Sequence, residues 1–503
     1  MPFPRMYDLS SGQALRPFTK AARWATKTGL KNIHAYDDYG DYKKEAMWDI
    51  THFLEKELKI KPPGWTGVPL TRLFPTNGVT EAYEVALTVL ASRVKQYGEC
   101  IKKDLRPAII IPTPTYGFFI QAAEHLGYEV IKIPGTRENN WRLHPEQLKE
   151  TLRELYRSPT LYPTAFFDSN PQNPKGTVRD EEETRPLAKL IETFNSGIID
   201  RTPRPKQWYG QVPCLSIIDD MVYLGTEYES KKPFSFAAVP EVHDFTFLML
   251  GVSKIGLAGL RAGLVAVPEP YSSYYYLDEV KRLLKERHYF LSNPALQALN
   301  YCFSDTAEQI ASRKEFTEAL ARDHAFNGNL MKALINGLND VTVTEADRAR
   351  MIKIVAKTRK CSENEALDIL NQGTPGVRVV TSPEAGFFHL LDFSALRGSY
   401  YDNSYHPSHR YNGITEAVDE WAIEHVFRHM GVKFCSGTFT GLDVKEMIVR
   451  VTYAYPPKDI VEICRRIRSG CTLFLPANMT KTVTRIDYSG QSVDIRMPIM
   501  SPA

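Results

Sequence analysis

Short unbroken apolar runs alternate with stretches of helical periodicity through the middle of the chain. Residues 108–112 (Ala-Ile-Ile-Ile-Pro), 164–168 (Thr-Ala-Phe-Phe-Asp), 214–218 (Cys-Leu-Ser-Ile-Ile) and 245–250 (Phe-Thr-Phe-Leu-Met-Leu) predict strands buried on both faces. Between them, 80–95 and 145–156 space their apolar residues as helices do. Buried strands alternating with helices predict an α/β fold with a mostly parallel sheet covered by helices. Residues 307–339 predict one long helix, of the kind that bridges two domains. Ser362-Glu-Asn-Glu365 is a capping-box pattern expected to start a short helix. From Val377 to about Ile467 the pattern predicts an α+β unit. Residues 195–212, with Gly197, Pro203, Pro205 and Gly210, are expected to form a long loop. The chain from Thr472, with Pro476 and alternating Val, Thr and Ile, is expected to be an extended tail. The first 35 residues carry isolated apolar positions such as Phe3 and Trp24 without a helical pattern, which suits an arm lying across another subunit; a disordered terminus is the alternative. The expected division is an N-terminal arm with part of the small domain over 1–45, a large domain over 46–306, a linking helix with a smaller α+β domain over 307–470, and an extension over 471–503.

The charge balance changes this picture little. A net charge of +3 over 503 residues makes no electrostatic case for nucleic acid or a membrane surface as a partner. The basic stretch 281–287 interleaves with Leu at helical spacing and is expected to be a solvated helix face. Seven cysteines form no Cys-x-x-Cys pair, which indicates neither a zinc site nor a disulfide framework and fits a reducing cytoplasm. The first residues have no apolar leader core, and no apolar run approaches a membrane span.

Four segments carry candidate chemistry. Thr76-Asn-Gly78-Val79-Thr80 opens a helix, where backbone N–H groups can hold a phosphate. Asn170-Pro-Gln-Asn173-Pro-Lys175-Gly176 follows a core strand, and each Pro restricts the residue before it. In Asp219-Asp220-Met-Val-Tyr223, a carboxylate at a strand end can pair with a protonated ring nitrogen, and a phenol three residues on can donate to a ring oxygen; helix capping by the two aspartates is the alternative. In Ser253-Lys254-Ile-Gly-Leu-Ala-Gly-Leu-Arg261, a lysine stands in an apolar, Gly-rich segment. Burial and a cationic neighbour lower an amine's pKa and make it nucleophilic; a snorkelling surface lysine is the alternative.

Together, and in this order, these segments resemble the fold-type I enzymes that use pyridoxal 5′-phosphate (PLP), specifically the aminotransferase class I/II family of the aspartate aminotransferase kind. The resemblance runs from about Asp8 to about Ile467. It implies a seven-stranded sheet of the PLP-transferase type with a smaller α+β domain, and a homodimer with shared active sites. It implies that Lys254 holds PLP as a Schiff base. Asp220 pairs with the pyridine nitrogen, and Asn173 and Tyr223 bond the ring oxygen. Tyr116, in Pro112-Thr-Pro-Thr-Tyr116, stacks on the ring. Val79, Thr80, Ser253 and Arg261 take the phosphate, and Tyr36 reaches the partner subunit's phosphate. Arg450, in Val449-Arg-Val-Thr-Tyr453, and Asn173 bind the substrate, a planar fork being suited to a carboxylate.

The sequence departs from the family pattern in four places. Lys254 and Arg261 are one residue closer than usual, Gly251 stands where a phosphate-binding Ser is common, Lys175 replaces a small Thr, and Tyr36 is a residue close to Gly40. A reshaped pocket often serves other chemistry on one fold. Two activities on an α-amino acid are therefore expected. The first is transamination. The other is a lyase or synthase reaction, meaning β- or γ-elimination, replacement or carbon–carbon bond formation, as in aminocyclopropane-carboxylate synthases acting on S-adenosylmethionine. A non-catalytic regulator on the same fold fits less well, since Lys254, Asp220, Tyr223, Asn173 and Arg450 are all present.

Overall fold

The structure is a computed structural model that describes residues 5–32, 41–61, 72–201, 212–228, 231–268, 275–288, 291–402, 414–486 and 492–498. Counts refer to these residues. The chain forms two compact units. The larger comprises Gln13–Asp323 with Pro383–Gly386, and the smaller comprises Met1–Gly12, His324–Ser382 and Phe387–Ala503.

In chain order the first elements are β1 (Tyr7–Asp8), α1 (Thr19–Gly29), α2 (Asp41–Lys56), β2 (Leu73–Thr76) and α3 (Gly78–Ile101). Then come β3 (Arg106–Thr113), α4 (Gly117–His125), β4 (Glu129–Pro134), α5 (Pro145–Arg157), β5 (Leu161–Ser169), α6 (Glu181–Arg201), β6 (Ser216–Asp220), β7 (Thr246–Gly251) and β8 (Gly263–Ala266). The helices α7 (Tyr275–His288), α8 (Asn293–Cys302) and α9 (Ala307–Asn336) follow.

The larger unit is built on a seven-stranded sheet of order β2-β8-β7-β6-β5-β3-β4. All its neighbouring pairs are parallel except those made by β8, which runs antiparallel to both β7 and β2. The expected mostly parallel α/β sheet is therefore what forms. Ile217, Ile218, Phe247 and Leu250 are fully buried because both sheet faces are covered. One apolar core joins β7 and β8 to α1, α2 and α8 through Ala21, Ala25, Ile50, Leu250, Leu264 and Leu299. Another joins β3, β5 and β6 to α5 and α6 through Ile110, Phe166, Ile217, Leu148 and Ile191. Because side chains alternate along a strand, Phe166 enters this second core while Phe167 packs on Tyr83 of α3 and Phe119 of α4.

The smaller unit adds β9 (Arg378–Val379), β10 (Phe388–Asp392), β11 (Tyr400–Asp402), β12 (Ile414–Glu416), β13 (Val432–Lys433), β14 (Cys435–Ser436), β15 (Ile448–Thr452), β16 (Thr480–Ile486) and β17 (Ser492–Pro498). Its further helices are α10 (Glu345–Arg359), α11 (Glu363–Gln372), α12 (Glu420–His429) and α13 (Pro457–Cys471). Strands β14-β15-β10-β9 form one sheet, β11-β12-β17-β16 a second, and β1 pairs with β13. The capping box at Ser362 starts α11 as expected, with the Ser362 side chain accepting from the Glu365 amide.

Three expectations are corrected. Residues 19–29 form α1, although no helix was expected in the first 35: its buried positions are the small Ala21, Ala25 and Gly29, each one turn apart, too weakly apolar to show as a stripe. Residues 195–201 continue α6 instead of starting a loop; Ile198 is buried, and a Cβ on Gly197 would meet open space, so this glycine breaks nothing. The expected extended tail is a hairpin, with β16 and β17 paired antiparallel and β17 joined to β12.

Candidate active site

In a parallel sheet the C-terminal ends of the strands share one edge, which is where open α/β sheets bind ligands. Here β2, β3, β5, β6 and β7 all end at that edge, and antiparallel β8 begins there. The strand ends and the segments just after them carry Gly78 to Thr80, Tyr116, Asn170 to Gly176, Asp220 to Tyr223, Ser253 and Lys254. Arg261 immediately precedes β8. One edge thus assembles every candidate residue of the larger unit that the structure describes.

Alternation along β6 separates the two aspartates. Both lie in the strand's last positions, so neither caps a helix. Asp219 turns toward the α6 side, accepting from the Ser235 hydroxyl and the Phe236 amide (2.9 Å), with Arg179 at 3.6 Å. Asp220 turns the other way, accepting from the Ser169 hydroxyl at 3.1 Å and the Val222 amide at 3.0 Å. Burial pushes the Asp220 carboxyl up to about 7, partly offset by these hydrogen bonds and by the Lys254 charge. Asp219 is pushed by burial only to about 6, with Arg179 opposing. A buried acid of this kind suits a cationic N–H, which would restore its ionised form.

Lys254 lies in an irregular turn after β7, and its Nζ is 5.3 Å from the centre of the Tyr223 ring. Gly256 makes the turn possible: its φ is +85°, and a Cβ there would lie 2.6 Å from the Arg16 carbonyl oxygen. The Asn173 amide donates to the Tyr223 hydroxyl at 2.9 Å. At the start of α3, Gly78 has φ +77°, and a Cβ would sit 2.7 Å from Arg261 Nη2. Only glycine lets that guanidinium lie against the helix opening. Arg261 itself adopts a left-handed backbone with φ +50°. Val79 and Ser253 are buried beside this turn, and Gly263 backs onto Gly78 so closely that a Cβ would come within 2.5 Å of its carbonyl carbon. Tyr116 precedes α4 with 36% of its surface exposed, its ring edge-on to Phe119 at 5.9 Å.

Arg450 stands in the smaller unit, in the middle of β15, paired in register with Leu390 and Cys435. It is 2% exposed, donates to the Ser10 carbonyl at 2.8 Å, and lies 4.4 Å over the Phe388 ring. Tyr36 lies outside the described residues.

Sequence reasoning missed Ser169 and Glu384. Ser169 reaches Asp220 from 51 residues away, and Glu384 reaches Val178 from 206.

The donor set fits PLP. A buried carboxylate faces away from the strand's other acid, an amide and a phenol lie together, and a lysine sits near them. An arginine is set against glycine at a helix start, where an anion is favoured.

A family model described as "Aminotransferase class I and II" matches residues 4–199. Among curated proteins, the chain is similar to an aspartate aminotransferase of Musicola paradisiaca (strain Ech703), 24% identical over 224 residues, or 44% of this chain and 48% of that protein. It is also similar to the 1-aminocyclopropane-1-carboxylate synthase 1 of Prunus mume, 22% identical over 260 residues, or 50% of this chain and 43% of that protein. The chain thus spans about half the length of the curated relatives it matches. Among solved structures, the fold is shared with the aspartate aminotransferase from Rhizobium meliloti (TM-score 0.65, 15% identity, 93% of this chain and 92% of that one). It is shared too with the aromatic aminotransferase from Pyrococcus horikoshii OT3 (TM-score 0.61, 17% identity, 93% and 96%).

Proposed function

We propose that this chain, a member of the class I and II aminotransferase family with the fold-type I architecture, is a PLP-dependent aminotransferase acting on an α-amino acid. The observation that carries the reading is the convergence at one sheet edge of Lys254, Asp220 and the bonded pair Asn173–Tyr223. Bound PLP supplies an electron sink for negative charge at the substrate's α-carbon.

The chain's own residues do the rest. Asp220 holds a proton on the ring nitrogen. Asn173 and Tyr223 donate to the ring oxygen. Backbone N–H groups of Val79 and Thr80, the Ser253 hydroxyl and Arg261 hold the phosphate. Tyr116 stacks against the ring. The Lys254 amine would hold the cofactor, and as a base it would move a proton at the substrate's α-carbon. Arg450 is assigned to the substrate carboxylate on its sequence pattern and its planar fork.

The test is spectroscopic. The purified protein is expected to absorb in the visible and Lys254→Ala is not, and borohydride followed by peptide mapping is expected to place the pyridoxyl group on Lys254. Label on another lysine overturns the assignment. Conversion of the cofactor to pyridoxamine phosphate by some amino acid in a broad panel supports transamination, and no conversion by any sinks it.

The match to aminocyclopropane-carboxylate synthases favours a second reading, elimination or ring closure on a substrate such as S-adenosylmethionine. A substrate that loses its leaving group while keeping its amino nitrogen would establish it. We further propose a homodimer with shared sites, after the family resemblance. The scatter of cysteines supports a cytoplasmic location. Among the described residues no helix is long and apolar enough to cross a membrane.

A further inference from the structure

Residues Pro383–Gly386 return to the larger unit for four positions, and their hydrogen bonds run to both turns that carry the ring-oxygen donors. On one side, the Glu384 and Ala385 amides donate to the Gly176 carbonyl at 2.8 and 2.9 Å. Gly176 ends the Asn173 turn, and its own amide donates to the Gln172 carbonyl at 2.8 Å. The approach is close: Gly176 has φ +70°, and a Cβ there would lie 2.4 Å from Pro383 Cβ. On the other side, the Tyr228 amide donates to the Glu384 carbonyl at 2.8 Å. The Gly386 amide donates to the Thr226 carbonyl and hydroxyl, at 3.2 and 3.1 Å. Thr226 in turn donates from its hydroxyl to the Tyr223 carbonyl at 2.7 Å. These four residues are a strap across the backbones that present Asn173 and Tyr223.

Pro, Ala and Gly bring no polar side chain to the strap, so Glu384 is its one side-chain anchor. Its Oε2 accepts from the Val178 amide at 2.8 Å and from the Arg142 guanidinium, which also binds Glu183. Val178 stands two residues beyond Gly176, so the carboxylate fixes the strap to the far end of the Asn173 turn. A carboxylate held by a cation and a backbone N–H is a strong anchor, and losing it leaves both donors short of an acceptor.

We infer that Glu384 is a positioning residue: by anchoring the strap it keeps the Asn173 amide and the Tyr223 hydroxyl paired and aimed at the cofactor's ring oxygen. The inference rests on the PLP reading of the site. Glu384 touches neither donor, so it acts through the two turns.

The variants are Glu384→Ala, Glu384→Gln and, as a control on the ion pair alone, Glu183→Ala. Three quantities are measured: PLP affinity on reconstitution, the pH midpoint of the bound cofactor's visible absorbance, and amide exchange over 173–178 and 223–228 in the cofactor-free protein. Glu384→Ala is expected to weaken PLP binding about tenfold, the scale of one charge-assisted hydrogen bond. It should also shift the absorbance midpoint and speed exchange in both turns. Glu384→Gln, which keeps an acceptor for the Val178 amide, recovers part of each effect, and Glu183→Ala moves none of them. An unmoved midpoint and affinity in Glu384→Ala, or equal shifts in Glu183→Ala, overturn the inference. If the unsubstituted protein takes up no PLP, the reading of the site fails by itself. The exchange rates then decide the positioning role: faster exchange in both turns upholds it, and unchanged exchange overturns it.

Discussion

Asp219 and Asp220 are chemically identical neighbours, and strand alternation gives them different work. Asp219 is paired with Arg179, Ser235 and the Phe236 amide, so it holds structure. Asp220 shares its side of the sheet with Ser169 and feels the Lys254 charge. Asp220→Ala is therefore expected to lower turnover by about a hundredfold or more, the scale at which one preorganised electrostatic contact acts. Asp219→Ala should cost stability instead, because Arg179 loses one of its two buried carboxylates. Steady-state rates beside thermal melts check this, and equal losses of activity would mean that the two faces are misassigned. The three-residue spacing to Tyr223 made Asp220 legible in the sequence, because that relation is local. Ser169 and Glu384 were not legible, since strand pairing and a returning chain segment bring them in.

At the scale of elements, the turn after β5 holds a buried lysine. Lys175 is 2% exposed and donates to the Trp141 carbonyl at 2.8 Å. Burial lowers its pKa from 10.5 to about 8, with Asp168 opposing that shift. Between those values the unfolded chain binds more protons than the folded one, so stability contributed by this group rises as pH rises from about 8 to 10.5. Below about 8 the folded protein carries the full cost of the buried charge. Melting temperatures of the unsubstituted protein relative to Lys175→Met should climb across that window, and a flat difference would mean that the amine is not desolvated as placed. Long periodic elements such as α3, α5 and α9 were plain in the sequence, as was the capping box of α11. The four-residue strands β2 and β8 were not, being too short to show a period. Helix α1 escaped because alanine carries its buried face.

At the scale of the molecule, the family resemblance implies two chains per functional particle. Sedimentation at micromolar concentration should show a dimer, and a stable, fully active monomer would refute shared sites. Hybrids of Tyr36→Phe with Lys254→Ala chains sharpen the test. If Tyr36 serves the other chain's site, one site carries both lesions, the second is intact, and activity returns. If it serves its own, activity stays low.

The pairing of β1 with β13 has a consequence for how the protein is made. Tyr7 and Asp8 stand in register with Val432 and Lys433, the Tyr7 and Leu9 amides donate to the Gly431 and Lys433 carbonyls, and Arg450 donates to the Ser10 carbonyl. At ribosomal speeds the first strand is therefore made roughly 20 to 85 seconds before its partner exists. The larger unit is one continuous stretch apart from the strap, so it can mature while synthesis proceeds. During that interval the β1 segment has no strand partner and stands open to chaperones and proteases. That segment waits for a partner much further along the chain than does any strand of the seven-stranded sheet.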